Sequence, residues 1–159
     1  LVEYPGSGEL KIVMPALARL SHSDEPGKGR WIAWVAPPHI PYAPALSAAG
    51  IDLSRVLVIH ARDGVDIFWA AEQALRSATC AAVLLWVQRA DEKSLRRLQL
   101  AAEEGGAWGV VFRPPSARKQ SSPAAVRLHL VPGRDGKVLH VFKSRGRQPV
   151  RLTADFLNP

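Results

Sequence analysis

Cysteine occurs once, at Cys80, and methionine once, at Met14. A lone thiol can form neither an internal disulfide nor the thiolate set of a zinc ribbon. The chain is therefore no disulfide-stapled scaffold, and a reducing cytoplasm is its expected compartment. No apolar run approaches the roughly 20 residues that a membrane span needs, and no signal-peptide pattern is visible, so no membrane partner is expected. Acidic residues are scarce, 14 against 21 Lys and Arg, which leaves a net charge of +7. A positive surplus favours acidic partners, whether a nucleic acid or an acidic protein face. A G-x-S-x-G elbow is missing, so a Ser-His-Asp hydrolase has no anchor. Of the five histidines, His129 and His140 would face each other across a hairpin. Two imidazoles without a third ligand make a poor metal site, and neither metal nor cofactor is expected.

What the sequence does hold is a core. With 159 residues and 47% apolar content it can bury one domain's interior. Four apolar runs, at 31–36, 55–61, 81–87 and 107–112, lack alternation, which indicates strands buried on both faces as in a parallel sheet. Between them, residues 66–78 place Phe68, Ala71, Leu75 and Ala78 on one helical face. Residues 91–106 do the same with Leu95, Leu98 and Ala102, ending at Gly105 and Gly106. An earlier helix turns Val13, Ala16, Leu17 and Leu20 inward, with Pro15 past its first turn and expected to perturb it. After residue 113 a basic Pro/Ser-rich loop, expected to be mobile, leads to two alternating segments around Pro132-Gly133-Arg134-Asp135-Gly136, a hairpin signal. The expected fold is α/β: a mainly parallel sheet flanked by helices and extended by antiparallel C-terminal strands.

The opening stretch LVEYPGSGELKIVMPALARLS runs from a strand through a glycine-rich turn into a helix. That is the layout of a phosphate-binding loop, Gly6-Ser7-Gly8-Glu9-Leu10. The chemistry is absent from it: Glu9 stands where the loop needs Lys, and Leu10 where it needs a hydroxyl. A carboxylate there would repel phosphate.

The order of these elements resembles the RecA-type ATPase core, entered at its phosphate-loop strand. The text of 36–52, with His39, Gly50, Ile51 and Asp52, and the block 55–86 carry the likeness. This resemblance implies a single RecA-like domain over 1–159, a further segment upstream of Leu1, and a basic tail over 144–159. At the positions matching the family's metal-binding Asp and water-activating Glu the chain has Trp86 and Pro38. The resemblance therefore implies a non-enzymatic, degenerate ATPase core. Two families of catalytically silent RecA-like proteins of the SOS response are similar: ImuA, accessory to translesion synthesis, and SulA, which inhibits cell division by binding FtsZ. The stretches PGSGELKIVMPALARL, WVAPPHIPYAPALSAAGID, LRRLQLAAEEGGAWGVVFRP and SPAAVRLHL, with the extra hairpin and basic tail, point to ImuA. That choice implies an adaptor for an ImuB-like Y-family polymerase homologue and RecA, and through these an error-prone replicative-type polymerase, in the cytoplasm near the nucleoid. FtsZ is the partner implied by the SulA alternative.

For such an adaptor the expected docking residues are Arg89, Lys93, Arg96 and Arg97, a basic cluster after the third strand, together with Arg145 and Arg147 of the tail. Weak, salt-sensitive contact with a DNA backbone would suit the same charges. Arg96 and Arg97 are expected to be exposed and exchangeable without cost to folding. All five Trp fall in predicted elements, so core packing is their default. Trp86, at a strand's carboxyl end, either fills the abandoned nucleotide pocket or anchors a partner.

Overall fold

The computed structural model describes residues 1–2, 6, 8–22, 30–61, 64–133, 136–146 and 148–153. Ser7 and Arg147 lie outside the described residues. Helix α1 (Glu9–Ser21) is followed by β1 (Trp31–Val35), α2 (Ala43–Ala48), β2 (Val56–Ile59), α3 (Gly64–Arg76), β3 (Cys80–Trp86), α4 (Glu92–Gly105) and β4 (Trp108–Phe112). Then come β5 (Val126–Gly133), β6 (Gly136–Ser144) and β7 (Val150–Thr153).

The first four strands form a wholly parallel sheet in the order β2-β1-β3-β4. Because side chains alternate across a strand, the continuous apolar runs feed two cores. Ile32, Trp34, Leu84 and Trp86 point to the α1 face, where they meet Val13 and Leu17. Ala33, Val35, Val83 and Leu85 point to the other face, against Ala71, Leu75, Leu98 and Ala101 of α3 and α4. Cys80 is buried in that second layer. Helix α4 begins with Asp91 accepting from the Ser94 N–H at 2.8 Å and ends with Gly106 in the left-handed region. The Arg30 guanidinium donates to the Gly105 and Gly106 carbonyls, at 2.8 and 3.0 Å, and so satisfies two of that helix's terminal acceptors. Pro15 sits within α1, which nonetheless runs 13 residues.

Several expectations are corrected. The antiparallel strands do not extend the parallel sheet; β5-β6-β7 is a separate sheet that packs Leu130 and Leu139 against Ile12 of α1. The tail is not all tail, since Val150–Thr153 pairs with β6 as β7. The Pro/Ser-rich loop contains a 3₁₀ turn over Pro115–Lys119, held by Arg127 donating to the Ala117 carbonyl at 2.9 Å. Leu20 is exposed, and so are three of the five tryptophans: Trp31, Trp69 and Trp108. Propensity and periodicity place a residue on an element but do not say whether another element covers it.

Candidate functional site

The glycine-rich turn is closed by its own side chain. Gly6 and Gly8 both adopt positive φ, 85° and 92°, and the Gly6 N–H donates to Glu9 Oε1 at 2.8 Å. Glu9 is 2% exposed, and its second oxygen has no partner among the described residues. A phosphate brought to this loop would meet a carboxylate already seated on the amide it would need. A cation does reach the turn, from another element: the Lys137 ammonium of β6 lies 2.7 Å from where a Cβ on Gly8 would stand.

Below the turn, where a nucleotide would need metal-binding carboxylates, aromatic rings stack instead. Trp86 lies between Trp34, with centroids 5.5 Å apart, and Phe112 at 4.8 Å, both at 22°. Trp86 is 9% exposed. Of its two expected roles, this burial matches the filler and leaves little surface for an anchor.

The basic cluster divides. Arg97 of α4 pairs with Glu72 of α3, a buried carboxylate that also takes Arg76 at 3.3 Å. Arg76 in turn bonds Glu104 at 2.8 Å, so the four side chains staple α3 to α4. Arg97 is exposed, as expected, but its pairing with a buried carboxylate makes it other than a freely exchangeable charge. Arg96 bonds Gln99 at 2.8 Å on the outer face of α4, where Lys93 is also exposed. Replacing Arg97 by Glu should set a second carboxylate beside buried Glu72 and lower stability by about 2 kcal/mol, discounted for Arg97's partial exposure. Arg96→Glu should change it by less than about 0.5 kcal/mol. Urea titration of the two variants checks the contrast. Two basic residues outside this cluster are also engaged. Lys143 donates to the Ser122 carbonyl at 2.7 Å, and Arg113 to the Ala90 carbonyl at 3.1 Å. Arg145 lies on the wall of a cavity between β4 and β5.

The sequence reading missed an apolar face. At the carboxyl edge of the parallel sheet, Ile40 and Tyr42 follow β1 and are 84% and 71% exposed. Val65 and Trp69, on the first turns of α3, are 81% and 61% exposed. The turn after β1 starts at Ala36, whose φ of 48° is unusual for a residue with a Cβ, and the Ala36 N–H is tied to the Ile59 carbonyl at 2.9 Å. Trp69 and Phe68 share an open recess with Arg89 and Arg97. Exposed aromatics beside arginines are the composition of a protein-docking surface. The run after β1 (Pro37-Pro38-His39-Ile40-Pro41-Tyr42) carried the signal: two bulky apolar residues between prolines have no regular element to bury them. Among the described residues no group of three or more His, Cys, Asp or Glu could hold a metal, and no helix is long and apolar enough to cross a membrane.

The fold and this edge define a class: an α/β protein with a parallel sheet flanked by helices, an obstructed phosphate-type loop and an apolar face at the sheet's carboxyl edge. Residues 5–109 match the family model described as "Cell division inhibitor SulA", and the chain belongs to that family. It is 29% identical over 121 residues to the cell division inhibitor SulA of Photorhabdus laumondii, and 28% identical over 109 residues to that of Edwardsiella piscicida. These alignments take in 76% and 69% of this chain, and 66% and 62% of the relatives' lengths. The crystal structure of SulA from Pseudomonas aeruginosa superposes with a TM-score of 0.57 at 26% identity, covering 72% of this chain and 94% of that one.

This overturns the assignment to ImuA, and with it the translesion adaptor role and the ImuB, RecA and polymerase partners. Of the features that favoured ImuA, the hairpin and the basic tail lie beyond residue 109, outside the matched region, whereas the stretches at 5–20 and 34–52 lie within it.

Proposed function

We propose that this chain is a non-catalytic inhibitor of cell division that acts in the cytoplasm by binding FtsZ, the partner implied by the SulA resemblance. The family match over residues 5–109 carries this reading. That region includes the loop closed by Glu9 and the exposed residues Ile40, Tyr42 and Trp69. An acidic side chain on the loop amide and aromatics in place of metal ligands support this reading, since among the described residues these positions offer nothing to hold magnesium or polarise a phosphate. Inhibition would then be steric. The apolar edge covers a surface of the partner, and Arg89 beside Trp69 supplies charge at its rim.

The test is light scattering of purified FtsZ polymerising with GTP in the presence of the chain. Assembly should be suppressed as the chain approaches equimolar amounts. Ile40→Asp and Trp69→Ala should each weaken this by roughly tenfold or more while leaving the melting temperature unchanged. FtsZ that assembles normally against an excess of folded wild-type chain would end this reading. Calorimetry with ATP and magnesium should show no binding.

A further inference from the structure

Besides α3, the recess beside Trp69 has two walls made of short turns. One follows β3 and carries Arg89 and Ala90; the other is the 3₁₀ turn after β4, with Ser116 and Gln120. A turn of this length has little internal bonding to fix where it sits, so contacts from outside it must do so. One side chain reaches both turns. Arg113, the first residue after β4, is 6% exposed, and its Nη2 donates to the Ala90 carbonyl at 3.1 Å and to Gln120 Oε1 at 2.5 Å.

Arg127 of β5 does something different. It donates to the carbonyls of Ala117, Arg118 and Gln120 at 2.9, 3.3 and 3.0 Å, which shapes the 3₁₀ turn and ties it to the second sheet. Those bonds stay on one side of the recess, whereas the Arg113 bonds reach each of its two turns. Arg113 is also costly to keep for packing alone. It is buried, and it forms no ion pair with a carboxylate among the described residues. Burial and the neighbouring Arg127 guanidinium both lower its proton affinity. An apolar side chain of similar volume would fill the same space without that desolvation cost. What the guanidinium adds is the placement of the two turns.

We propose that Arg113 is a positioning residue of the docking recess: buried out of a partner's reach, it sets the spacing between the Ala90 turn and the Gln120 turn, and so preforms the slot in which Arg89 meets a carboxylate of the partner. This rests on the reading of that edge as the face that docks the partner. Arg97 is held by Glu72, which leaves Arg89 as the uncommitted guanidinium of the recess among the described residues. The group that fits beside it is an acidic side chain whose apolar neighbours lie on Phe68 and Trp69. A slot whose walls are already in place binds without the entropic cost of ordering them, and releasing the 3₁₀ turn adds that cost.

Two variants test this from opposite ends of one hydrogen bond. Arg113→Met keeps the buried volume and deletes the donor, while Gln120→Ala deletes the acceptor at an exposed position. The Ala117 and Gln120 amides, which donate within the turn at 3.0 and 3.1 Å, report its order. In both variants their exchange should quicken by roughly tenfold or more at an unchanged urea midpoint. Suppression of FtsZ assembly per folded molecule should weaken by roughly fivefold or more. Exchange equal to wild type in both variants would overturn the proposal. So would quickened exchange with full suppression per folded molecule, or a lowered midpoint with suppression lost only in step with folding, which is what a purely structural residue would give. FtsZ that assembles normally against the wild-type chain would instead remove the docking reading, and the exchange result would then decide by itself whether Arg113 sets the two turns.

Discussion

Gly105→Ala is expected to cost about 3 kcal/mol or more, although a glycine-to-alanine change inside an exposed helix ordinarily stabilises by 0.5–1 kcal/mol or so. A Cβ on Gly105 would stand 1.9 Å from the Leu75 carbonyl oxygen and 3.0 Å from its carbon. Both atoms are α3 backbone, so no side-chain rotation relieves the overlap. The two helices would have to part where α4 ends, and the strain would reach the Glu72–Arg97 and Arg76–Glu104 pairs that staple them. It would also reach the Arg30 guanidinium that caps α4 through the Gly105 and Gly106 carbonyls. Two neighbouring glycines serve as controls. Gly106 has a φ of 58° and nothing within 4 Å of its Cβ site, so alanine there should cost only the left-handed penalty, about 1 kcal/mol. At Gly109 the Cβ would make ordinary contact with Leu75 at 3.5 Å, and alanine should be nearly neutral. Urea midpoints of the three variants should fall in the order Gly109→Ala, Gly106→Ala, Gly105→Ala, from most to least stable. A Gly105→Ala midpoint at or above that of Gly106→Ala would show that the helices separate freely.

The same pair of glycines shows what the sequence could convey. Two consecutive glycines after a helical pattern read correctly as a terminus, and Gly106 is that cap. That Gly105 exists to let a carbonyl of another helix approach could not be read, because Leu75 is 30 positions away and only packing brings it near. The four parallel strands were legible because each is a continuous apolar run, a property that survives without knowledge of the partner. Strand order was not, and neither was the division into two sheets. Glu9 was recognised as the wrong residue for a phosphate loop, but not as the group that occupies the loop's amide. Arg97 was read as one of four exposed docking cations, and its pairing was not legible because its partner, Glu72, sits on another helix and looks equally ordinary in sequence. The apolar face at the sheet's carboxyl edge was not legible from charge patterning. Ile40 and Tyr42 carry no charge, and their significance is that nothing among the described elements buries them.

Trp86→Ala is expected to cost roughly 3–5 kcal/mol. The ring stacks on Trp34 of β1 and on Phe112 of β4, joining three adjacent strands at their carboxyl ends on the α1 side. Its removal would open a cavity between two rings that cannot collapse together while their strands remain paired through Trp34↔Leu84 and Leu85↔Val111. One term acts in the other direction. The Trp86 Nε1–H is buried without a hydrogen-bond partner among the described residues, and losing an orphaned donor returns about 1–3 kcal/mol of desolvation. Trp86→Phe separates the two contributions, since it keeps an aromatic ring in the stack and deletes the donor. Its stability should lie within about 1 kcal/mol of wild type, whereas Trp86→Ala loses the stack and much of the fold's margin. Inhibition of FtsZ assembly, corrected for the folded fraction, should be the same for wild type and both variants, because the ring faces inward. The contrary pattern, an unchanged melting temperature for Trp86→Ala with lost inhibition, would make Trp86 an anchor and place the docking surface over the loop that Glu9 closes. The contrast with Trp69→Ala sharpens the test. Trp69 is 61% exposed, so its loss should leave the fold intact and remove inhibition. The two tryptophans should therefore give opposite results in the same pair of measurements.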